Sequence, residues 1–188
     1  MAGYPRCPRG ASDSYASDEE IRGMVEIELR TFIAAPVERV FDLSRSIDLH
    51  QRSTATTRET AVAGRTSGLI GLDETVTWRA RHLGVTQYLT SRISGYDRPR
   101  WFRDEMVRGA FAWMEHDHWF DAAEGGTVLR DRFRFAAPLG PLGRIAEALL
   151  LRRYMTRFLE ARNAEIKRVA ESDAWRELLS AKDDSGPG

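Results

Sequence analysis

Two histidines one residue apart, His116 and His118, lie in the stretch Trp113–Phe120. The stretch is short and alternates, which predicts a strand rather than a helix. Neighbouring side chains on a strand point to opposite faces. One face then carries Met114, His116, His118 and Phe120, and the other carries Trp113, Glu115, Asp117 and Trp119. Imidazoles set among apolar groups suit the wall of an interior cavity better than a plain core. Strand pairing widens the set. A two-residue turn at Gly109-Ala110 sets Trp101 opposite His118, Arg103 opposite His116 and Glu105 opposite Met114. A turn at Glu124–Gly126 sets His118 opposite Asp131 and His116 opposite Phe133. Directly opposed residues share a face, so Arg103, Glu105, His116, His118 and Asp131 are expected together on the inner face. A slip of one residue in any strand would reverse its assignment.

Three kinds of chemistry are open to such a group. The charges can satisfy one another as a structural network, Arg103 with Glu105 and His118 with Asp131, since buried charges are costly unless paired. They can orient the polar end of a bound apolar molecule. Or His118 and Asp131 can act as a general base, with Arg103 stabilising an enolate-like oxygen in a cyclase or dehydratase reaction. His116 and His118 also have a ligand spacing for a metal, with Asp131 or Glu105 as a third ligand. An arginine opposite His116 would repel a cation, so no metal is expected, and no cofactor.

The elements that must position these residues follow from pattern. Residues 1–23 hold prolines, glycines, serines and the run Asp18-Glu19-Glu20, and predict a disordered tail. Val25–Ile33 alternates as a first strand. Ala35-Pro36 opens a helix, since proline is tolerated in the first turn, and residues 47–53 close a helix pair. Thr54–Gly64 predicts the second strand. The loop Gly64–Gly71 carries Leu69 and Ile70, with Leu72 just beyond, and could be an apolar lid. Strands follow at 73–82 and 85–94 around Leu83-Gly84, where pairing sets Trp78 opposite Leu89, Val76 opposite Ser91 and Ala80 opposite Gln87. Strands at 101–108, 111–121 and 127–136 complete the run. A long helix is expected from about Leu142 to Glu171, with Leu149, Leu159 and Ile166 at helical spacing and Arg153, Thr156 and Asn163 as a partly polar middle. The domain spans 24–172, and 173–188 is expected to fray. His50 is expected at the surface or a helix cap, at most rimming the cavity mouth.

Three stretches resemble the SRPBCC superfamily of START-like, Bet v 1-like proteins: Phe32–Phe41, Asp73–Ala80 and Tyr154–Asn163. The last two are similar to its bacterial branch labelled polyketide cyclase/dehydrase. The resemblance implies an α+β helix-grip fold: a curved antiparallel sheet of about seven strands around a long C-terminal helix, with a short helix pair after strand 1. It implies a deep cavity between sheet and helix, and no shared catalytic residue. The expected function is binding of a small hydrophobic molecule. Contacts are expected from Trp78, Leu89, Trp101, Arg103, Glu105, Met114, His116, His118, Asp131 and Phe133. The alternatives are an enzyme built on His118 and Asp131, and an interaction module working through Trp113, Trp119 or the arginines of the last helix.

Composition narrows the field. The 188 residues carry 28 basic and 28 acidic side chains, so nucleic acid gains no global electrostatic support. No apolar run approaches the roughly 20 residues of a membrane span. The start lacks the apolar centre of a signal peptide, and Cys7 is the single cysteine. A cytoplasmic protein is the expectation.

Overall fold

The computed structural model describes residues 24–54, 57–82, 84–136 and 144–180. The expected N-terminal tail, the Pro138–Gly143 tract and the last eight residues lie outside them. Seven strands form one antiparallel sheet: β1 Met24–Ile33, β2 Thr60–Gly64, β3 Thr75–His82, β4 Val85–Asp97, β5 Trp101–Arg108, β6 Trp113–Ala123 and β7 Gly126–Ala136. Their order is β1-β7-β6-β5-β4-β3-β2. Helices α1 Val37–Ser44 and α2 Ile47–Ser53 follow β1, α3 Arg144–Ala170 follows β7, and α4 Trp175–Ser180 is the last element among the described residues.

Two of these differ from expectation. The second strand begins at Thr60 rather than Thr54; Thr54 caps α2, its backbone N–H donating to His50 O. Residues 175–180 form a helix instead of fraying, because Leu178 is buried in the core and the Trp175 ring lies 4.2 Å from the Arg39 guanidinium.

The helix pair is fixed locally. Pro36 precedes α1, and the Ser46 hydroxyl accepts from Leu49 N at the start of α2, an ordinary N-cap. Val40, Phe41 and Leu43 turn inward from α1 and are fully buried. Phe41 meets Tyr96, Phe102 and Phe120 edge-on at centroid distances of 5.4, 5.5 and 5.1 Å, the arrangement that ring quadrupoles favour. The loop after β2 is strapped to this pair: Ile47 N donates to Gly68 O and Ile70 N to Arg45 O. Gly64 takes φ +71, and a side chain there would collide with the Thr75 backbone.

Helix α3 spans 27 residues, about 40 Å at 1.5 Å per residue. Met155, Leu159, Arg162, Asn163, Ile166 and Val169 face inward at helical spacing and are buried. Its C-terminal half is tied down by Arg162 Nη2 to Ser44 O (2.8 Å), Lys167 Nζ to Phe32 O (2.8 Å) and Arg39 Nη1 to Ala170 O (3.0 Å).

The register of β6 with β7 sets His118 opposite Asp131, His116 opposite Phe133 and Phe120 opposite Leu129. That of β3 with β4 sets Trp78 opposite Leu89 and Ala80 opposite Gln87. Both match the sequence reading. The β5–β6 pairing does not. Trp101 lies opposite Trp119, Phe102 opposite His118, Arg103 opposite Asp117, Asp104 opposite His116 and Glu105 opposite Glu115. The pairing is one residue out of the expected step, and β5 is reversed. The cause is the connection, which occupies residues 109–112 rather than two residues. Ala112 N donates to Ala136 O, and Phe111 folds onto Phe133 and Phe135. The charges agree with this choice: Arg103 meets an aspartate on the outer face, and the histidines meet an aspartate inside.

Candidate functional site

A cavity of about 410 Å³ lies between the concave sheet and α3. Sheet curvature supplies one wall through Trp78 and Ala80 of β3, Leu89 of β4, Phe102 of β5, Met114 of β6 and Phe133 of β7. The helix supplies Leu151, Met155 and Leu159, with Tyr154 and Arg162 beside them. Most of this surface is apolar. Its polar residues include Asp104, His116 and Arg162, with Gln87 and Ser91 along β4 and Ser44, Arg45, Ser46, His50 and Glu59 on the side of the helix pair.

The polar patch continues behind the wall. His118 Nδ1 lies 2.7 Å from Asp131 Oδ1, and His116 Nε2 lies 3.1 Å from the same oxygen. Asn163 Nδ2 donates to Asp131 Oδ2 at 2.6 Å and reaches Thr31 Oγ1 at 3.3 Å. On the cavity side, Asp104 Oδ2 lies 3.1 Å from His118 Nε2 and 3.9 Å from His116 Nδ1. The two imidazoles are 3.8 Å apart between centroids, sandwiched between the two carboxylates. The Phe102 ring stacks on His118 at 4.3 Å.

Burial would raise Asp131, but hydrogen bonds from His116 and His118, and their charge, hold it well below the usual carboxylate range. Asp104 is also lowered: burial opposes this, but the His118 hydrogen bond together with the charges of His116, His118 and Arg162 outweighs it. The histidines part company. Burial and the neighbouring His118 lower His116. Burial also opposes charge on His118, yet its hydrogen bonds to Asp104 and Asp131 overcome this and raise it. Coupled groups whose environments separate their proton affinities in this way are suited to holding and moving a proton.

The structure distributes the expected site residues over three places. Trp78, Leu89, Met114, His116 and Phe133 line the cavity. His118 and Asp131 share that inner face but stand behind the lining, both buried. Trp101, Arg103 and Glu105, expected inside, are on the outer face as a consequence of the β5 register. There Arg103 donates to Asp117 through Nε at 2.8 Å and Nη2 at 3.0 Å. Trp101 Nε1 donates to Asp117 Oδ1 at 3.0 Å, and Glu105 accepts from Arg92 Nη2 at 2.6 Å. The expected Arg103–Glu105 pair is therefore replaced by Arg103–Asp117 and Arg92–Glu105. Arg103 is also not the neighbour of His116; Asp104 is.

Three site residues are new. Asp104 and Phe102 enter with the corrected register. Arg162 comes from α3, where an arginine between Leu159 and Ile166 reads as a surface residue by type. Its Nη1 is buried and has no hydrogen-bond partner among the described residues, with Asp131 Oδ1 3.9 Å away. His50 does more than rim the mouth: its ring stacks on Trp78 at 4.2 Å, and Nε2 lies 2.6 Å from Glu59 Oε2. Of the supposed lid, Ile70 lines the cavity while Leu72 is exposed. The outer tryptophans are covered by arginines, Arg132 over Trp119 at 4.9 Å and Arg134 over Trp113 at 5.8 Å.

Comparison with known proteins agrees with this geometry. The model of the family described as polyketide cyclase / dehydrase and lipid transport matches residues 24–171. No curated protein matches the sequence. Among solved structures, a Thermus thermophilus protein is 17% identical with a TM-score of 0.65, covering 85% of this chain and 100% of its own. A Streptomyces aromatase/cyclase is 17% identical with a TM-score of 0.64, covering 85% and 98%. A START superfamily protein from Mycobacterium smegmatis is 11% identical with a TM-score of 0.57, covering 79% and 97%. At these identities the structures show a common helix-grip fold. No helix among the described residues is long and apolar enough to cross a membrane.

Proposed function

Because the chain belongs to the polyketide cyclase/dehydrase and lipid transport family, we propose that it binds a small hydrophobic molecule of lipid-, polyketide- or aromatic-like character between the sheet and α3. The observation that carries this reading is the cavity of about 410 Å³, apolar over most of its wall with a few polar groups set into it. Ligand pockets of about 300–1,000 Å³ commonly combine apolar walls with a few placed polar groups. The apolar body of the ligand would lie against Trp78, Leu89, Met114, Phe133 and Met155. Its polar end would meet Asp104, His116 and Arg162, with His118 and Asp131 acting through them.

The test is native mass spectrometry of protein purified from its own host, then release and identification of bound small molecules. It is paired with displacement of anilinonaphthalene sulfonate by dodecanoate and by 2-naphthol. Ala80 is buried and lines the cavity on β3, so Ala80→Phe fills the space without adding charge. The expected result is displacement by at least one probe in the wild type and at least a tenfold weaker affinity in the variant. Equal affinity in Ala80→Phe would place binding elsewhere, and no binding of either probe would count against an apolar ligand of this size.

A second reading is favoured by one observation. Asp104 and His116 are in the cavity wall and connect directly to His118 and Asp131, so a proton can be exchanged with a bound molecule. A cyclase or dehydratase would use this connection, with His116 rather than His118 as the group that touches substrate. His116→Ala would then abolish turnover of a bound polyketide-like substrate, whereas in the carrier reading it changes affinity only.

A further inference from the structure

Asp104, His116 and His118 bring three ligand-capable atoms within 4.8 Å of one another. The Asp104 Oδ2 distances are 3.1 Å to His118 Nε2 and 3.9 Å to His116 Nδ1. A tetrahedral ion with bonds of about 2.0–2.1 Å holds its ligands roughly 3.3 Å apart, a separation that the two Asp104 distances bracket.

The support behind the histidines points the same way. An ionised carboxylate only accepts hydrogen bonds, so Asp131 Oδ1 takes one from His116 Nε2 and one from His118 Nδ1. Asn163 holds the other oxygen of Asp131 in place. Those bonds fix where the ring protons sit. The nitrogens left over, His116 Nδ1 and His118 Nε2, are the two nearest Asp104. Two imidazole lone pairs and a carboxylate oxygen then converge, all of them acceptors. Such a cluster calls for a cation at its centre, either a proton or a metal ion. A carboxylate that orients ligating histidines through their far nitrogens is a common outer shell of metal sites.

We propose that Asp104, His116 and His118 form a divalent-metal site of the zinc class, with His116 binding through Nδ1, His118 through Nε2 and Asp104 through Oδ2. Asp131 is its shared positioning residue. Two nitrogens and one carboxylate oxygen, without thiolate, suit Zn(II), Co(II), Ni(II) or Cu(II) over Mg(II) or Ca(II). Asp104 and His116 line the cavity, so the open fourth position faces the bound molecule, as in sites with three protein ligands. With both carboxylates ionised and Arg162 nearby, a divalent ion leaves one net positive charge. An anionic oxygen from the cavity side would neutralise it, and Arg162 Nη1, without a hydrogen-bond partner among the described residues, is suited to donate to the same oxygen. The site stands apart from the ligand reading, because it can be loaded with the metal alone.

The test uses the full chain with Cys7→Ser to remove the thiol, stripped with chelator and titrated with Co(II) and Zn(II). Tetrahedral Co(II) is read by its visible absorption and Zn(II) by calorimetry. The expected result is one ion per chain, with affinity lowered more than about 100-fold by Asp104→Asn and by His118→Gln, beyond the roughly 10–100-fold seen on losing an outer-shell partner. Asp173→Asn, which removes an exposed surface carboxylate, is the control and leaves binding unchanged. If His118→Gln does not fold, the partly exposed Asp104→Asn carries the decision, with circular dichroism as the check. Absence of stoichiometric binding in the wild type, or binding that survives Asp104→Asn, overturns the proposal.

Discussion

Replacing Arg103 and Asp117 singly and together measures the register of β5 against β6 directly. Arg103 makes two charge-assisted bonds to Asp117, at 2.8 and 3.0 Å. Asp117 is fully buried beneath the arginines, while Arg103 keeps about a quarter of its side chain exposed (24%). Hydrogen bonds to charged groups contribute about 1.5–3 kcal/mol net, and bidentate pairs are at the strong end. Partial exposure of Arg103, and the bond that Arg132 Nη2 also gives Asp117 at 3.0 Å, both reduce the pairwise share. A coupling of about 2 kcal/mol follows. Urea unfolding of the wild type, Arg103→Ala, Asp117→Ala and the double variant gives this as the departure from additivity, which for independent sites stays within about 0.5 kcal/mol. With a slope of about 1–3 kcal/mol per molar urea, the effect is roughly a molar in midpoint. A parallel cycle on Arg103 and His116, which lie on opposite faces, is expected near zero. Coupling below about 0.5 kcal/mol for Arg103–Asp117, or a larger value for Arg103–His116, would refute the observed pairing and return Arg103 to the cavity.

Two further substitutions probe the buried polar groups. Asp131→Asn keeps the shape but removes the charge that His116 and His118 share. Because Asp104 remains as a second carboxylate, the expected loss is about 3 kcal/mol, at the low end for a broken buried pair, read as a fall in Tm of about 6–12 °C; a fall under about 2 °C would count against the network. Asp42 accepts from both Arg98 and Arg45. Burial raises its proton affinity, but the two arginines outweigh that and leave it below the usual range. Its contribution to stability is therefore present above the unfolded carboxyl value, about 3.9, and is lost as pH falls through the lower folded value. Asp42→Asn should lower Tm at pH 7 and bring the two proteins together by about pH 2; a gap that is constant with pH would contradict this.

How far the sequence could be read depended on what fixed each strand. The β6–β7 turn Glu124-Gly125-Gly126 is short, and Gly125 takes φ +74, so turn chemistry sets the register and with it His118 opposite Asp131. Helix α1 was equally plain, since Pro36 precedes it and Val40, Phe41 and Ser44 recur on one face. The connection before β6 has no comparable marker. Phe111 looks like the start of a strand by residue type, yet it belongs to the loop and covers Phe133 and Phe135. Arg162 was hidden for a different reason. Arginine is rarely buried, and only its position three after Leu159 and four before Ile166 places it on the inner stripe.

Strand β5 itself offered no help from hydrophobicity, because Trp101-Phe102-Arg103-Asp104-Glu105-Met106 carries an aromatic and a charge on either face. Charge pairing separates the two registers where alternation does not. The turn-based register sets Arg103 against His116 and leaves Asp117 on the outer face without it, so a cation faces an imidazole inside and a buried acid loses a partner outside. The observed register gives Asp117 three donor side chains, Trp101, Arg103 and Arg132, and gives His118 a carboxylate at each ring nitrogen. Each of these buried charges then has a partner, and the cost of desolvating it is offset by paired geometry. The same parity decides the chemistry. A basic residue beside His116 would make the cavity patch an anion site closed to cations. With Asp104 there instead, a carboxylate and two ring nitrogens gather at and just behind the cavity wall, the group proposed to hold a cation.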